Sequence, residues 1–227
     1  VVMSIAAKPE YTTKPITSVL EPTALPGPLV GLASWLSDYY HTPLATVFQT
    51  ILPRGINKKR RHKETKSHTS VRNRTKIVFN KDQVRALKEI NDSSDGTIIL
   101  QGVTGSGKTE LYKELARQQI AGGKSVIMLV PEISLTSQLI SEFAADFPDM
   151  LVTHSHMTEA ERHIVWKEAL DSPTPRVAIG PRSALFLPLK NIGVIMIDEA
   201  HEPSYKQEQS PRYSALRAGG VLGKLSK

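Results

Sequence analysis

The chain has 227 residues, 40% of them hydrophobic and 22% charged, with a formal net charge of +7 and no cysteine. That length and balance suit one large domain, or one domain with a small appendage, around a packed core, and they exclude a fibrous, collagen-like or wholly disordered chain. The missing cysteines exclude disulfides and thiolate metal sites within these residues, and fit a reducing cytosol.

The first residues, Val1–Ala7, lack the cationic start of a signal peptide, and no apolar run approaches the roughly 18 to 20 residues that a bilayer span needs. A soluble, cytoplasmic protein without membrane association is expected. The opening on Val1 and the close on Leu225–Lys227, inside a helical pattern, read as cut ends. Prolines 9, 15, 22, 26 and 28 punctuate the next stretch and leave one helical window from Leu29 to Tyr40. There Leu29, Leu32, Trp35, Leu36, Tyr39 and Tyr40 recur at three- and four-residue steps. A second short helix is predicted over Pro43–Leu52, with Leu44, Val47, Phe48 and Ile51 on one side. Residues 1–53 thus read as a small helical unit, too short to stand alone.

Residues 54–76 hold ten Lys and Arg against the single acid Glu64, including the run Lys58–Lys63, so essentially all the excess charge sits in this one segment. With almost nothing apolar between Ile56 and Val71, it reads as a linker, either a solvated tether or a polycationic strap for nucleic-acid phosphates.

From residue 77 to 227 short β-branched runs alternate with helical stretches, the pattern of an α/β domain with a mostly parallel sheet. Strands are predicted at Thr97–Gln101, Ser125–Val130, Leu151–His154, Arg176–Ile179 and Gly193–Ile197. Helices are predicted at Lys81–Ile90, Lys108–Ala121, Ser134–Phe147 and Thr158–Leu170, the last opened by a capping box of Thr158 with Glu161.

Two motifs carry chemistry. The stretch Gly102-Val-Thr-Gly-Ser-Gly-Lys-Thr109 has the G-x-x-x-x-G-K-[ST] spacing of a phosphate-binding loop between a predicted strand and a predicted helix. Its glycines, Gly102, Gly105 and Gly107, with Thr104 and Ser106, would turn backbone N–H groups toward phosphate at the helix N-terminus. Lys108 would bring a point charge to the outer phosphates and Thr109 a hydroxyl to Mg²⁺, so ATP and Mg²⁺ are the expected ligands. Downstream, the apolar run Gly193–Ile197 delivers Asp198-Glu-Ala-His201 to the carboxyl end of a strand, the edge where ligands bind in such sheets. Asp198 is placed to hold Mg²⁺ and Glu199 to orient or deprotonate the attacking water. His201 alone reads as a surface histidine.

These two motifs together resemble superfamily 2 DEAH-box helicases with a RecA-like lobe. Leu129–Thr136, His154-Ser155 with Glu161-Arg162 and Trp166, Gly180–Ala184, Ser204–Gln207 and Pro211–Tyr213 narrow the resemblance to the primosomal protein N′ (PriA) family of replication-restart DNA helicases. It implies that Gln83 reads adenine and that His201 links the γ-phosphate side of the site to the nucleic acid. It further implies that Arg182 and Ser183 touch the DNA backbone, and that Tyr205 and Tyr213, beside Lys206 and Arg212, stack on unpaired bases. Forked or single-stranded DNA, the primosome and single-strand-binding proteins are the implied partners. Val19–Pro22, Leu36–Tyr40 with Pro43-Leu44, and Ile51–Pro53 resemble the second half of that family's DNA 3′-end-binding domain; the first half, the winged helix, the second motor lobe and the zinc-binding insertion are expected to be missing. The expected activity is therefore an ATP-dependent 3′-to-5′ helicase holding half of its motor here. A binding module for ATP and DNA with little turnover is the alternative, and a small-molecule kinase is a weaker one.

Overall fold

The computed structural model describes residues 10–12, 16, 18–19, 21–55, 78–93, 96–103 and 105–227. Most of the basic linker, together with Thr104 of the glycine-rich loop, lies outside the described residues.

Four parallel strands, β1 (Ser125–Leu129), β2 (Leu151–Val152), β3 (Val177–Gly180) and β4 (Ile192–Ile197), form one sheet in the order β2-β3-β1-β4. Central β1 reads Ser-Val-Ile-Met-Leu and is buried along its whole length, as a strand covered on both faces must be. Successive side chains point to opposite faces, and the two hydrophobic cores divide accordingly. Ile127, Leu129 and Ala178 belong to one core, and Val126, Met128, Val177 and Ile179 to the other.

The second face is covered by α4 (Lys108–Ala121) and α5 (Ser137–Ala144), which contribute Tyr112, Leu115, Ala116 and Phe143. Over the first face lie α6 (Glu159–Asp171), α7 (Ala215–Leu225) and the two N-terminal helices, α1 (Gly27–Tyr39) and α2 (Leu44–Ile51). Helix α1 starts with Pro28 in its first turn, where a missing N–H does no harm and a fixed φ favours the helix. Its Leu32, Ala33 and Leu36 are fully buried in the same core as Leu129 and Leu222, and α1 packs directly on α7. The N-terminal helices therefore complete the core beneath the sheet. Polar contacts pin the same junction, with Lys167 on α6 bridging Glu21 and Asp171.

Helix α3 (Lys81–Asp92) opens with a capping box formed by Asn80 and Gln83, and α6 with the expected box of Thr158 and Glu161. The strand expected over Thr97–Gln101 is not formed. A β-ladder requires a hydrogen-bonding neighbour, and among the described residues the sheet ends at β4, so this apolar segment lies outside it without regular structure. Ile98 and Ile99 stand 47% and 89% exposed in consequence, while Leu100 still packs on the second core. Helix α5 is shorter than Ser134–Phe147, because Glu132–Ser134 winds into a separate 3₁₀ turn and Thr136 caps a new helix through Leu139 N–H.

Candidate nucleotide site

The glycine-rich loop meets its backbone demands with two left-handed residues, Gly105 at φ +78° and Gly107 at φ +80°. Only glycine takes those values without strain. At Gly107 there is a second reason: a Cβ there would strike Nε2 of Gln83. Gln83 itself is tied at both ends, its Oε1 accepting from Asn80 N–H at 2.9 Å and its Nε2 donating to Ser106 O at 3.1 Å. The side chain expected to read adenine thus braces the phosphate loop against the start of α3. Lys108, the first residue of α4, donates Nζ to the carbonyls of Gly102 (2.8 Å) and Val103 (3.3 Å). Its ammonium is held by neutral acceptors of the loop itself, which an anion would displace with a stronger, charge-assisted bond. Thr109 follows at the second position of α4, half-buried.

One turn along α4 from Lys108, Tyr112 donates its hydroxyl to Oδ1 of Asp198 at 3.3 Å. This contact joins two segments 86 residues apart and ties the acidic motif to the loop's helix one turn from its start. Asp198 leaves the end of β4 with its N–H bonded to Leu129 O. Glu199 then adopts φ +46°, an unusual conformation for a side chain of that size, which breaks the extended course of the strand. Its carboxylate lies 3.6 Å from Nδ1 of His201, and both side chains are well exposed. Tyr112 was not singled out from sequence; its signal was its place one helical turn beyond Lys108 on the buried side of α4.

The structure corrects the base-stacking role expected of two tyrosines. Tyr205 and Tyr213 are each only 2% exposed, so neither ring offers a face to a base. Tyr205 turns inward and donates its hydroxyl to the Asp198 carbonyl at 2.6 Å, and Tyr213 packs edge-on against Phe186 in the core. Apolar ring area in a loop that crosses the sheet edge is more favourable buried than solvated. Arg182 is likewise engaged: its guanidinium donates to the carbonyls of Ser204 and Lys206 and so braces the loop between the acidic motif and α7. Ser183, Lys206 and Arg212 are exposed.

Burial raises the phenols of Tyr112 and Tyr205 above their ordinary range, and the Asp198 carboxylate adds to the shift in both; burial also raises Tyr213, against the opposing pull of Arg182. All three hold their protons in the folded state at a pH where an unfolded tyrosine has begun to lose its own. Their contribution to stability is complete below about pH 10 and declines as pH rises beyond it. Urea midpoints should therefore hold up to about pH 10 and fall above it, and midpoints that stay level beyond about pH 10 would contradict the burial described here.

A profile described as DEAD/DEAH box helicase matches residues 80–219, and one described as 3′ DNA-binding domain matches residues 1–53. The chain belongs to the DEAD/DEAH box helicase family. Among its relatives, the replication restart protein PriA of Rickettsia felis is 35% identical over 228 residues, covering 96% of this chain and 34% of the relative. The proteins of the same name from Bacillus subtilis and Haemophilus influenzae are 44% and 40% identical over 131 and 149 residues, which are 57% and 65% of this chain and 16% and 20% of theirs. The chain spans about a third or less of the length of these relatives. The helicase match spans both the loop at 102–109 and the box at 198–201, the two segments that the Tyr112–Asp198 hydrogen bond joins. Among the described residues no helix is long and apolar enough to cross a membrane.

Proposed function

We propose that this chain carries the ATP-binding lobe and part of the DNA 3′-end-binding region of a cytoplasmic 3′-to-5′ DNA helicase of replication restart, acting on forked DNA with primosome and single-strand-binding proteins. Its units are residues 1–53 for DNA ends, the basic linker 54–76, and the lobe 77–227. The observation that carries the reading is the Tyr112–Asp198 contact, which sets the acidic motif beside the helix that Lys108 begins.

In this reading the backbone of Gly102, Thr104, Gly105, Ser106 and Gly107 wraps the phosphates of ATP, with Gln83 monitoring the same loop. Lys108 leaves the loop carbonyls for the outer phosphates, and Thr109 with Asp198 would hold Mg²⁺. Bound there, the metal would supply positive charge against the negative charge that develops on the transferred phosphoryl group. The donors fit a hard cation: a hydroxyl and a carboxylate, both oxygen. Glu199 accepts a proton from the attacking water as its oxygen bonds to phosphorus and the bond to the departing ADP breaks. His201, which lies 3.6 Å from the Glu199 carboxylate, would link the γ-phosphate side of the site to the DNA side. Tyr112 and Tyr205, neutral throughout the working pH range, orient Asp198 from its side chain and its main chain.

ATP hydrolysis should be measured with no DNA, with duplex and with a fork bearing single-stranded arms. Stimulation of tenfold or more by the fork, abolished by magnesium chelation, supports the proposal. Tight binding of ATP and DNA with no turnover would leave a binding module, and phosphate transfer to a small acceptor would make it a kinase; either result overturns the helicase reading.

A further inference from the structure

With Tyr205 and Tyr213 buried, a cluster of three neighbouring aromatic rings that keeps some exposure lies elsewhere among the described residues, at the C-terminal end of α1. Trp35 and Tyr39 stack at 4.9 Å between ring centroids with 18° between planes, and Tyr40 meets each of them edge-on, at 6.0 and 4.9 Å. Burial in the core accounts for this group only in part: Trp35 and Tyr40 are half-buried and pack against the first core, whereas Tyr39 remains 46% exposed. The lobe supplies the cations. The Arg217 guanidinium on α7 sits 5.0 Å from the centre of the Tyr39 ring and bonds its hydroxyl, and Lys206 Nζ sits 5.4 Å from the centre of the Tyr40 ring.

Three separate segments hold this arrangement in place. Tyr40 accepts a hydrogen bond from Ser214 N–H at 3.1 Å, Lys206 donates Nζ to the Arg212 carbonyl, and Arg182 grips the Lys206 carbonyl from below. Rings already ordered lose little entropy on meeting a ligand. The combination of pre-ordered, partly exposed rings with displaceable cations over them matches the two chemistries of an unpaired nucleic-acid strand, a flat base beside a phosphate.

We propose that Trp35, Tyr39 and Tyr40, with Arg217 and Lys206, form a stacking platform for the bases of a single strand where the N-terminal helices meet the lobe. This rests on the DNA-binding reading above and names the subsite within it. One face of Tyr39 is taken by Trp35 and the other is covered by Arg217, so a base enters by displacing the guanidinium. The exchange is favourable, because stacking of a base on an aromatic ring exceeds an exposed cation–π contact and the released Arg217 gains a phosphate.

The test compares a thymine-only oligonucleotide with the same backbone made abasic, by fluorescence anisotropy, on the full chain. The unmodified protein should prefer the base-bearing strand by roughly tenfold. Tyr39→Leu, which keeps apolar bulk against Trp35, should remove most of that preference and leave affinity for the abasic strand unchanged. An unchanged preference in Tyr39→Leu would overturn the platform. Equal affinity of the unmodified chain for both strands would also overturn it while sparing the DNA-binding reading, and binding of neither strand would take both down. Should Tyr39→Leu fail to fold, quenching of Trp35 fluorescence in the unmodified chain decides: the platform requires quenching by the base-bearing strand and none by the abasic one, since Trp166 is buried.

Discussion

Lys108→Ala is expected to lower ATP turnover by at least ~100-fold, the scale of losing one preorganised charge from a reacting phosphoryl group, while DNA affinity changes less than about twofold. The substitution removes the ammonium now held by the carbonyls of Gly102 and Val103 and leaves the loop's own supports intact. Gly105 and Gly107 keep their left-handed conformations, and Ser106 O keeps its bond from Gln83. Alanine is a strong helix former at the first position of α4, so the helix should persist. Binding of a fluorescent ATP analogue, run beside anisotropy with labelled forked DNA, separates the two sites. A parallel collapse of DNA affinity would mean that the phosphate loop also forms part of the DNA surface.

The second large effect is on stability. Lys113, on the side of α4 that faces α5, is 7% exposed and pairs with Glu110 at 2.8 Å and with Asp146 at 3.3 Å, where the Asp146 side chain is itself 4% exposed. Lys113→Met would fill a similar volume but leave the buried Asp146 carboxylate and the partly exposed Glu110 without their shared cation. Breaking a buried pair from one side typically costs ~3–5 kcal/mol, far more than the intact pair contributes over a hydrophobic replacement. Arg117 also reaches Asp146, at 3.2 Å, yet its side chain is 37% exposed and water screens it, so Arg117→Met should cost at most ~1 kcal/mol. Urea unfolding of both variants checks the contrast. Equal losses would show that the Lys113 cluster is solvated in a way its burial does not reveal. Because α4 also carries Lys108 and Tyr112, loosening this cluster would reach the helix that the glycine-rich loop begins.

What could be read from sequence alone follows the range over which a cause acts. The bounds of α4, the capping box at Thr158 and the positive φ at Gly105 and Gly107 are decided by residues a few positions apart, where propensity, capping and steric freedom operate. The acidic box was legible for the same reason, since an apolar run followed by Asp198 and Glu199 marks the carboxyl end of a strand. Thr97–Gln101 has the composition of a strand as clearly as Ser125–Val130 does, yet only β1 finds neighbours to complete its ladder. Tyr205, Tyr213 and Tyr39 are equally aromatic in the sequence; burial against the sheet took the first two, and packing of α1 on α7 left the third half in water beside Arg217. Composition and local pattern thus determined which elements and which phosphate loop this chain can build. The choice of which rings face solvent, which strand joins the sheet and which tyrosine meets Asp198 belonged to contacts between segments tens of residues apart, because hydrogen-bond pairing and burial depend on neighbours that no local window contains.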